Sequence, residues 1–157
     1  MKLVPNRVFR TVHLIDIENL VGSATLSPAD VRAVLSAYTE ADLLHPCDHV
    51  IVACSHRNAL AVSEGWPGAR YLWRSGPDGA DLALLGVANE ERLAERFGTV
   101  VIGSGDGIFA LSAAALAADG VTVDCVGRRG GTSARLRLAA QSTTYICTPV
   151  SHVMEAS

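Results

Sequence analysis

RTVHLIDI, residues 10–17, is an apolar run that reaches an acid, Asp16, close to its end. An apolar run of this length predicts a strand buried within a sheet. HVIVAC at 49–54 and TVVI at 99–102 have the same character. Segments with helical spacing lie between these runs, and strands that alternate with helices form a parallel sheet covered on both faces. We therefore predict an α/β protein, a three-layer α/β/α fold with a mainly parallel sheet.

The other elements follow from the same patterns. Predicted strands occupy residues 10–17, 49–54, 69–73, 99–102, 121–126 and 144–147. Predicted helices occupy residues 28–38, 58–64, 80–96, 108–118 and 133–140. Ser27 and Pro28 suit the start of the first helix, as N-cap and first helical residue. Because parallel sheets bind ligands beyond the carboxyl ends of their strands, polar residues at those ends are the candidates for function.

Length and composition predict one compact domain. The chain has 157 residues, of which 49% are hydrophobic and 18% charged, a balance that excludes a disordered protein. We assign the domain to residues 11–149, preceded by a lead-in at 1–10 and followed by a loose tail at 150–157.

The same data restrict location and partners. No uninterrupted apolar run is long enough to cross a bilayer, and the first ten residues lack the apolar core of a signal peptide. The four cysteines show neither C-x-x-C nor zinc-site spacing. We therefore expect a cytoplasmic protein without a membrane partner. The net charge of −3 argues against binding nucleic acid by charge alone, but a metal-dependent nuclease remains consistent with it.

Three acids fall at separate strand ends or helix starts on one predicted edge of the sheet: Asp16, Asp81 and Asp106. Each alone is explained by a helix cap or by the helix dipole. Together they repel one another unless a cation relieves the repulsion, and carboxylate oxygens suit Mg²⁺ or Mn²⁺. Such ions activate water for hydrolysis of phosphodiesters. The sequence therefore predicts a metal site here.

The glycines around Asp106 allow a different interpretation. GSGDG, residues 103–107, begins like the phosphate-binding loop of a nucleotide-binding module. That loop belongs after the first strand and has its third glycine three residues beyond the second. Here the loop follows a late strand, and Gly107 comes one residue early. Binding of NAD or ATP therefore remains a hypothesis that rests only on the glycines near Asp106.

Three motifs together resemble a known family. HLIDIEN at 13–19, GAD at 79–81 and SGDGIF at 104–109 are similar, in order and spacing, to the motifs of the NYN domain, which belongs to the PIN-like (FLAP/5′-nuclease-like) nucleases. The resemblance implies a PIN-like fold and a ribonuclease that cleaves RNA with Mg²⁺ or Mn²⁺. It assigns metal binding and catalysis to three residues: Asp16, Asp81 and Asp106. It also assigns supporting roles to two others: Asn19, which would orient Asp16 or a water, and Ser104, which would support Asp106.

The chain also departs from the family pattern. A second acid usually follows the SGD motif, where this chain has Ile108. A lysine is common where this chain has Asp78, and an acid near the final helix is replaced by Gln141. These departures motivate the alternative that the chain is a catalytically reduced NYN-like domain, which binds RNA or a protein partner without cleavage.

Further features are open to two interpretations each. Arg128 and Arg129 lie in a predicted loop where they can bind a substrate phosphate. A solvent-exposed basic turn explains the two residues equally well. Glu18 either joins the acidic site or points away from it, since neighbours in an extended strand face opposite sides. The alanines between 113 and 118 suit close packing inside the domain or a homo-oligomer.

Overall fold

The computed structural model describes residues 10–148. Six parallel strands in this part of the chain form one sheet in the order β3-β2-β1-β4-β5-β6. The strands are β1 (Thr11–Asp16), β2 (His49–Cys54), β3 (Arg70–Trp73), β4 (Thr99–Gly103), β5 (Thr122–Gly127) and β6 (Ser142–Tyr145). This arrangement confirms the predicted fold class.

Within residues 10–148, seven α-helices cover the two faces of the sheet. They are α1 (Ile17–Val21), α2 (Pro28–Glu40), α3 (Ala59–Gly65), α4 (Gly79–Glu90), α5 (Leu93–Arg96), α6 (Ala110–Ala118) and α7 (Ala134–Ala139). Helices α1–α3 pack on one face, around Tyr38 and Trp66, and α4–α7 pack on the other, around Leu84 and Phe109. Each fully buried large apolar side chain of these two cores contributes roughly 1.5–3 kcal/mol to folding.

The register brings the ends of the central strands to one level. In the pairing of β1 with β2, Asp16 lies opposite Ala53, and in the pairing of β1 with β4, Ile15 lies opposite Gly103. All strands run the same way, so the loops that follow them meet at one edge. Strand β1 lies between β2 and β4, where the order of strands reverses, and such a reversal is the usual position of a ligand crevice.

Helix α2 begins as its sequence predicts. The Ser27 hydroxyl accepts the Asp30 N–H at 3.2 Å, and an Asp30 carboxylate oxygen accepts the Ser27 N–H at 2.8 Å. Pro28 occupies the first turn. This reciprocal capping box satisfies two backbone donors that would otherwise lack a partner.

The helix predicted over residues 80–96 is instead two helices. The chain leaves the helical path at Arg92, which has a φ of 53°, and α5 begins at Leu93. The break turns two side chains into the core on this face, since Leu93 and Phe97 are buried. Burial of these side chains therefore outweighs the helical pattern of the sequence.

The strand predicted over residues 10–17 ends one residue earlier. The Asp16 carboxylate accepts the Asn19 N–H at 3.2 Å and thereby caps α1, a helix that the sequence patterns did not predict. A single turn of 3-10 helix at Gly107–Phe109 likewise precedes α6, so that the regular helix begins at Ala110 rather than at residue 108.

The described residues bear on the remaining expectations only in part. Apart from Arg10, the predicted lead-in lies outside them, as do residue 149 and the predicted tail at 150–157. No helix within 10–148 is both long and apolar enough to cross a bilayer. Among the alanines of α6, Ala113 is buried against the sheet, while Ala114 and Ala118 are exposed. An oligomer through this helix stays a prediction.

Candidate functional site

The three predicted acids line one pocket at the carboxyl edge of the sheet. Asp16 ends β1, Asp81 lies in the first turn of α4, and Asp106 follows β4. The pocket is also lined by Glu18, Asn19, Ser55, Arg74, Gly76, Asp78, Gly79 and Ala80. The structure therefore brings together acids that are up to 90 positions apart, from 16 to 106, in the sequence.

Asp16 and Asp81 form a buried carboxyl pair. Asp16 is 5% exposed and Asp81 is 6% exposed, and the two groups are close enough to share a hydrogen bond when one is protonated. Burial raises the pKa of Asp16. Burial, followed by the nearby Asp16 carboxyl, raises the pKa of Asp81 to about 8. Burial and mutual repulsion therefore favour one shared proton on the pair at neutral pH.

One oxygen of this pair has no partner. Asp81 Oδ1 is buried and receives no hydrogen bond from any residue within 10–148. A buried carboxylate oxygen without a donor is costly unless it carries a proton or binds a cation. Carboxylate oxygens are the ligands that a hard divalent cation prefers, and the pair offers them at one place.

Asp106 stands near this pair, and one of its carboxylate oxygens is used within its own loop. Its charge contributes to raising the pKa of Asp81, while its own Oδ1 accepts the Ile108 N–H at 2.9 Å. In the described part of the chain, no three Asp, Glu, His or Cys side chains form a group that could hold a metal ion. The arrangement is a carboxyl pair with a third acid beside it.

Ser104 joins the two sides of the pocket. Its hydroxyl donates to Asp16 Oδ2 at 3.4 Å and accepts the Asp106 N–H at 3.2 Å. Ser104 is fully buried. It therefore contacts the backbone of Asp106 and the carboxylate of Asp16, so that its hydroxyl couples the ends of β1 and β4.

Asn19 connects three strand ends. Its backbone N–H binds Asp16, its side-chain Oδ1 accepts the Gly105 N–H at 2.9 Å, and its carbonyl accepts from Arg128 Nε at 3.0 Å. The resemblance assigns Asn19 to orienting Asp16 or a water. In the structure the backbone contacts Asp16, while the side chain holds the loop after β4.

Asn19→Ala removes the acceptor for the Gly105 N–H and should lower the free energy of unfolding by about 1 kcal/mol, the usual net value of one such bond. Urea unfolding followed by circular dichroism measures this change. Asn89→Ala, on the exposed side of α4, removes only a 3.4 Å surface bond from the Ser112 hydroxyl. As the control, it should change stability by less than about 0.5 kcal/mol. Equal stability of Asn19→Ala and wild type would contradict the bridging role.

The glycine loop after β4 is shaped by packing. A Cβ on Gly105 would lie 1.9 Å from the Gly131 carbonyl oxygen, and the Gly105 carbonyl accepts the Ser133 N–H at 2.8 Å. Three N–H groups of the loop are used within the protein: Gly105 donates to Asn19, Asp106 to Ser104, and Ile108 to Asp106. These contacts account for the loop without a bound phosphate.

Glu18 belongs to the wall of the pocket. Its Oε1 accepts from the Ser55 N–H at 2.9 Å, the Ser55 hydroxyl at 2.6 Å and Asn58 Nδ2 at 2.6 Å. Asn58 is buried, and its own Oδ1 accepts the Leu26 N–H at 3.0 Å. Glu18 is thereby fixed to the residues that follow β2.

Two lining residues were missed from the sequence. Ser55 follows β2 directly, and Arg74 follows β3 directly and is exposed. The Arg74 N–H donates to the Cys54 carbonyl at 3.0 Å, which places Arg74 at the same edge as the acids. Their positions directly after predicted strands were the signal that could have identified them.

Arg128 and Arg129 line a second pocket, and Arg128 contacts the acidic pocket through its bond to the Asn19 carbonyl. Arg128 is half-buried, with its guanidinium against Gly22, where an added Cβ would lie 2.6 Å from Nη1. Arg129 is exposed, and its guanidinium lies 5.2 Å from the centre of the Tyr145 ring. The two arginines therefore differ, one packed into the fold and the other open to solvent.

Comparisons with known proteins provide evidence about the fold alone. The chain matches no protein-family model, and it matches no curated protein. It is similar to the crystal structure of a protein of unknown function from Vibrio parahaemolyticus RIMD 2210633, with a TM-score of 0.62 and 15% sequence identity. The match covers 92% of this chain and 97% of that one. The two chains thus share a fold along nearly their whole lengths.

Proposed function

We propose that this protein is a ribonuclease that hydrolyses RNA phosphodiester bonds with Mg²⁺ or Mn²⁺. The observation that supports this most is the buried pair of Asp16 and Asp81, with one unpartnered oxygen, at the carboxyl edge of a parallel sheet. A fold does not retain buried, mutually repelling carboxyl groups for stability, and strongly shifted acids in a crevice are typical of functional sites. The resemblance to NYN-domain motifs supports the same activity.

Each residue has a distinct role in this proposal. Asp16 and Asp81 hold the cation, and Asp106 adds a third carboxylate beside them. A divalent ion bound there supplies a water nucleophile at neutral pH and offsets the charge that develops on the phosphodiester. Ser104 and the Asn19 N–H fix the Asp16 carboxylate. Arg74, at the rim of the pocket, is a cation that can contact a substrate phosphate.

The second candidate is an NYN-like domain that binds RNA or a protein partner without cleaving RNA. The position of Asp106 favours it, since this carboxylate accepts the Ile108 N–H. Ile108 itself offers no ligand where the family pattern has an acid. In this alternative the acidic pocket is a remnant, and the binding surface carries the function.

The setting and the assembly belong to the same proposal. All four cysteines are free thiols, which suits the reducing cytoplasm expected from the sequence. A homo-oligomer that packs through the exposed alanines of α6 is compatible with the pocket, because the acids lie at the carboxyl edge of the sheet.

The proposed activity is tested by incubating a labelled single-stranded RNA with wild type and with Asp16→Asn, purified in parallel. Each protein is assayed with Mn²⁺, with Mg²⁺ and with a chelator. Cleavage should require the metal and should fall by roughly 100-fold or more in Asp16→Asn, the order expected when a charge-stabilising group is lost.

The matched control is Asp42→Asn, which removes an exposed acid just after α2. Asp42 has a φ of 56°, a conformation that asparagine adopts as readily as aspartate. This variant should cleave like wild type. Equal cleavage by wild type and Asp16→Asn would assign the activity to a contaminant and favour the binding domain.

A further inference from the structure

We propose that a base-binding pocket beside the acidic site, lined by Val21, Arg128, Arg129, Tyr145, Ile146, Cys147 and Thr148, holds a nucleotide of single-stranded RNA that flanks the cleaved bond. This inference rests on the proposed function and names how the substrate is held. It adds an aromatic ring and two aliphatic side chains to the arginines that the sequence indicated.

The base-binding pocket and the acids share one edge of the sheet. Arg128 and Arg129 follow β5, and Tyr145 is the last residue of β6, opposite Gly127 in the register. Asp106 follows β4 and Asp16 ends β1, and these are the next two strands toward the centre of the sheet. A polynucleotide chain laid along this edge therefore passes from the base-binding pocket to the acidic pocket.

The two pockets are joined by a direct contact. Arg128 Nε donates to the carbonyl of Asn19, and Asn19 lines the acidic pocket. Gly22, with a φ of 81°, leaves the space that the Arg128 guanidinium occupies. The spacing between the two pockets is thus built into the fold, so that a bound base can set the position of the next phosphate.

The charges of the base-binding pocket are not neutralised by acids. Within residues 10–148, neither Arg128 nor Arg129 forms an ion pair, whereas Arg70, Arg92 and Arg96 are each paired with a glutamate. Unpaired guanidinium groups are suited to binding the phosphates of a polyanion. The neighbouring carboxylates would then bind the metal cation.

The lining selects for a flat, partly apolar group. The Tyr145 ring lies under the Arg129 guanidinium, and the side chains of Val21 and Ile146 add apolar walls. Bases stack on aromatic rings and on guanidinium planes. Because a base within a duplex is stacked on its neighbours and cannot enter such a pocket, the occupant is single-stranded.

The test measures binding of a fluorescein-labelled single-stranded oligoribonucleotide by anisotropy, in a chelator that prevents cleavage. Arg129→Ala and Tyr145→Leu should each raise Kd by roughly tenfold, the lower range for losing one stacked base. Arg129→Lys keeps the charge but loses the planar group, so its Kd should lie between those of wild type and Arg129→Ala. Arg32→Ala removes an exposed arginine of α2 and should leave Kd unchanged.

The same variants separate this inference from the proposed activity. If Arg129→Ala binds RNA as tightly as Arg32→Ala does, the base-binding pocket is overturned, even where wild type cleaves RNA. If Arg129→Ala weakens binding and wild type never cleaves, the pocket binds RNA but flanks no cleaved bond, and the nuclease proposal falls. A duplex of the same sequence should bind more weakly than the single strand, and equal or tighter binding of the duplex overturns the assignment. Arg129 is exposed, so this variant tests the pocket even where Tyr145→Leu fails to fold.

Discussion

Asp81→Asn should stabilise the fold and abolish metal-dependent cleavage together. We expect the free energy of unfolding to rise by about 1–3 kcal/mol at pH 8, since each unit of pKa shift corresponds to about 1.4 kcal/mol and solvent at the pocket mouth reduces the full value. The physical reason is that an amide remains neutral beside Asp16 and can donate a hydrogen bond to it. In the wild type, Asp81 must either keep a proton or place its negative charge next to that of Asp16.

The dependence on pH fixes the sign of this effect. The pKa of Asp81 is about 8 in the folded protein, and 3.8 is the value of an aspartate in an unfolded chain. Between these values the folded state keeps a proton that the unfolded state has lost, so the wild type loses stability as pH rises from about 4 to about 8. The advantage of Asp81→Asn should therefore be small near pH 4 and largest at pH 8.

Urea unfolding at several pH values measures the difference, with Asp42→Asn as the control that removes an exposed acid. Mn²⁺ should raise the melting temperature of wild type at pH 8 and leave that of Asp81→Asn nearly unchanged, because the proposed metal site needs both carboxylates. A variant less stable than wild type at pH 8 would show that the carboxyl pair does not strain the fold.

Gly105→Ala should be the most damaging small substitution in the site. Its Cβ would lie 1.9 Å from the Gly131 carbonyl oxygen and 3.0 Å from Thr132 Cα, and both are backbone atoms that a rotamer change cannot move. We expect a loss of about 2–4 kcal/mol, in the range for severe overpacking. The shift should also break the bond to Asn19 and weaken RNA binding.

Gly86→Ala supplies the matched control for this substitution. Gly86 lies within α4, and beyond its chain neighbours and the adjacent helix backbone no atom would come within 4 Å of its added Cβ. Alanine at a helical position should stabilise the protein by about 0.5–1 kcal/mol. Thermal unfolding compares the two variants with wild type. Equal stabilities of Gly105→Ala and Gly86→Ala would disprove the close contact between the two loops.

The central strands could be predicted because their signal is local and strong. Residues 49–54 and 99–102 are continuous apolar runs, and the structure has strands there. The break at Arg92 could not be predicted, because the helical pattern continues through it and the cause is burial of Leu93 and Phe97 against distant strands. Local patterns thus identify elements, while tertiary packing decides where they end.

The site was also predictable only in part, because local patterns identify strand ends but not the contacts that form there. Asp16 and Asp106 could be placed at one edge, since parallel strands bring their ends together. The side of Glu18 could not be deduced from strand alternation, because the strand ends at Asp16 and a helix begins. The direction of the Asp106 carboxylate also escaped prediction, since it depends on a hydrogen bond to the Ile108 N–H in a turn of irregular geometry.

Strand β1 is placed at the centre of the sheet, between β2 and β4, and this has a consequence during protein synthesis. The bonds from Ser104 to Asp16 and from Gly105 to Asn19 join residues 88 and 86 positions apart. Until β4 has been synthesised, the edge of β1 that pairs with β4 has no partner, and its backbone groups can pair with a strand of another chain. Until residue 106 has left the exit tunnel, the growing chain also lacks a complete acidic pocket. The acidic pocket is therefore assembled only once the loop that carries Asp106 has joined the end of β1.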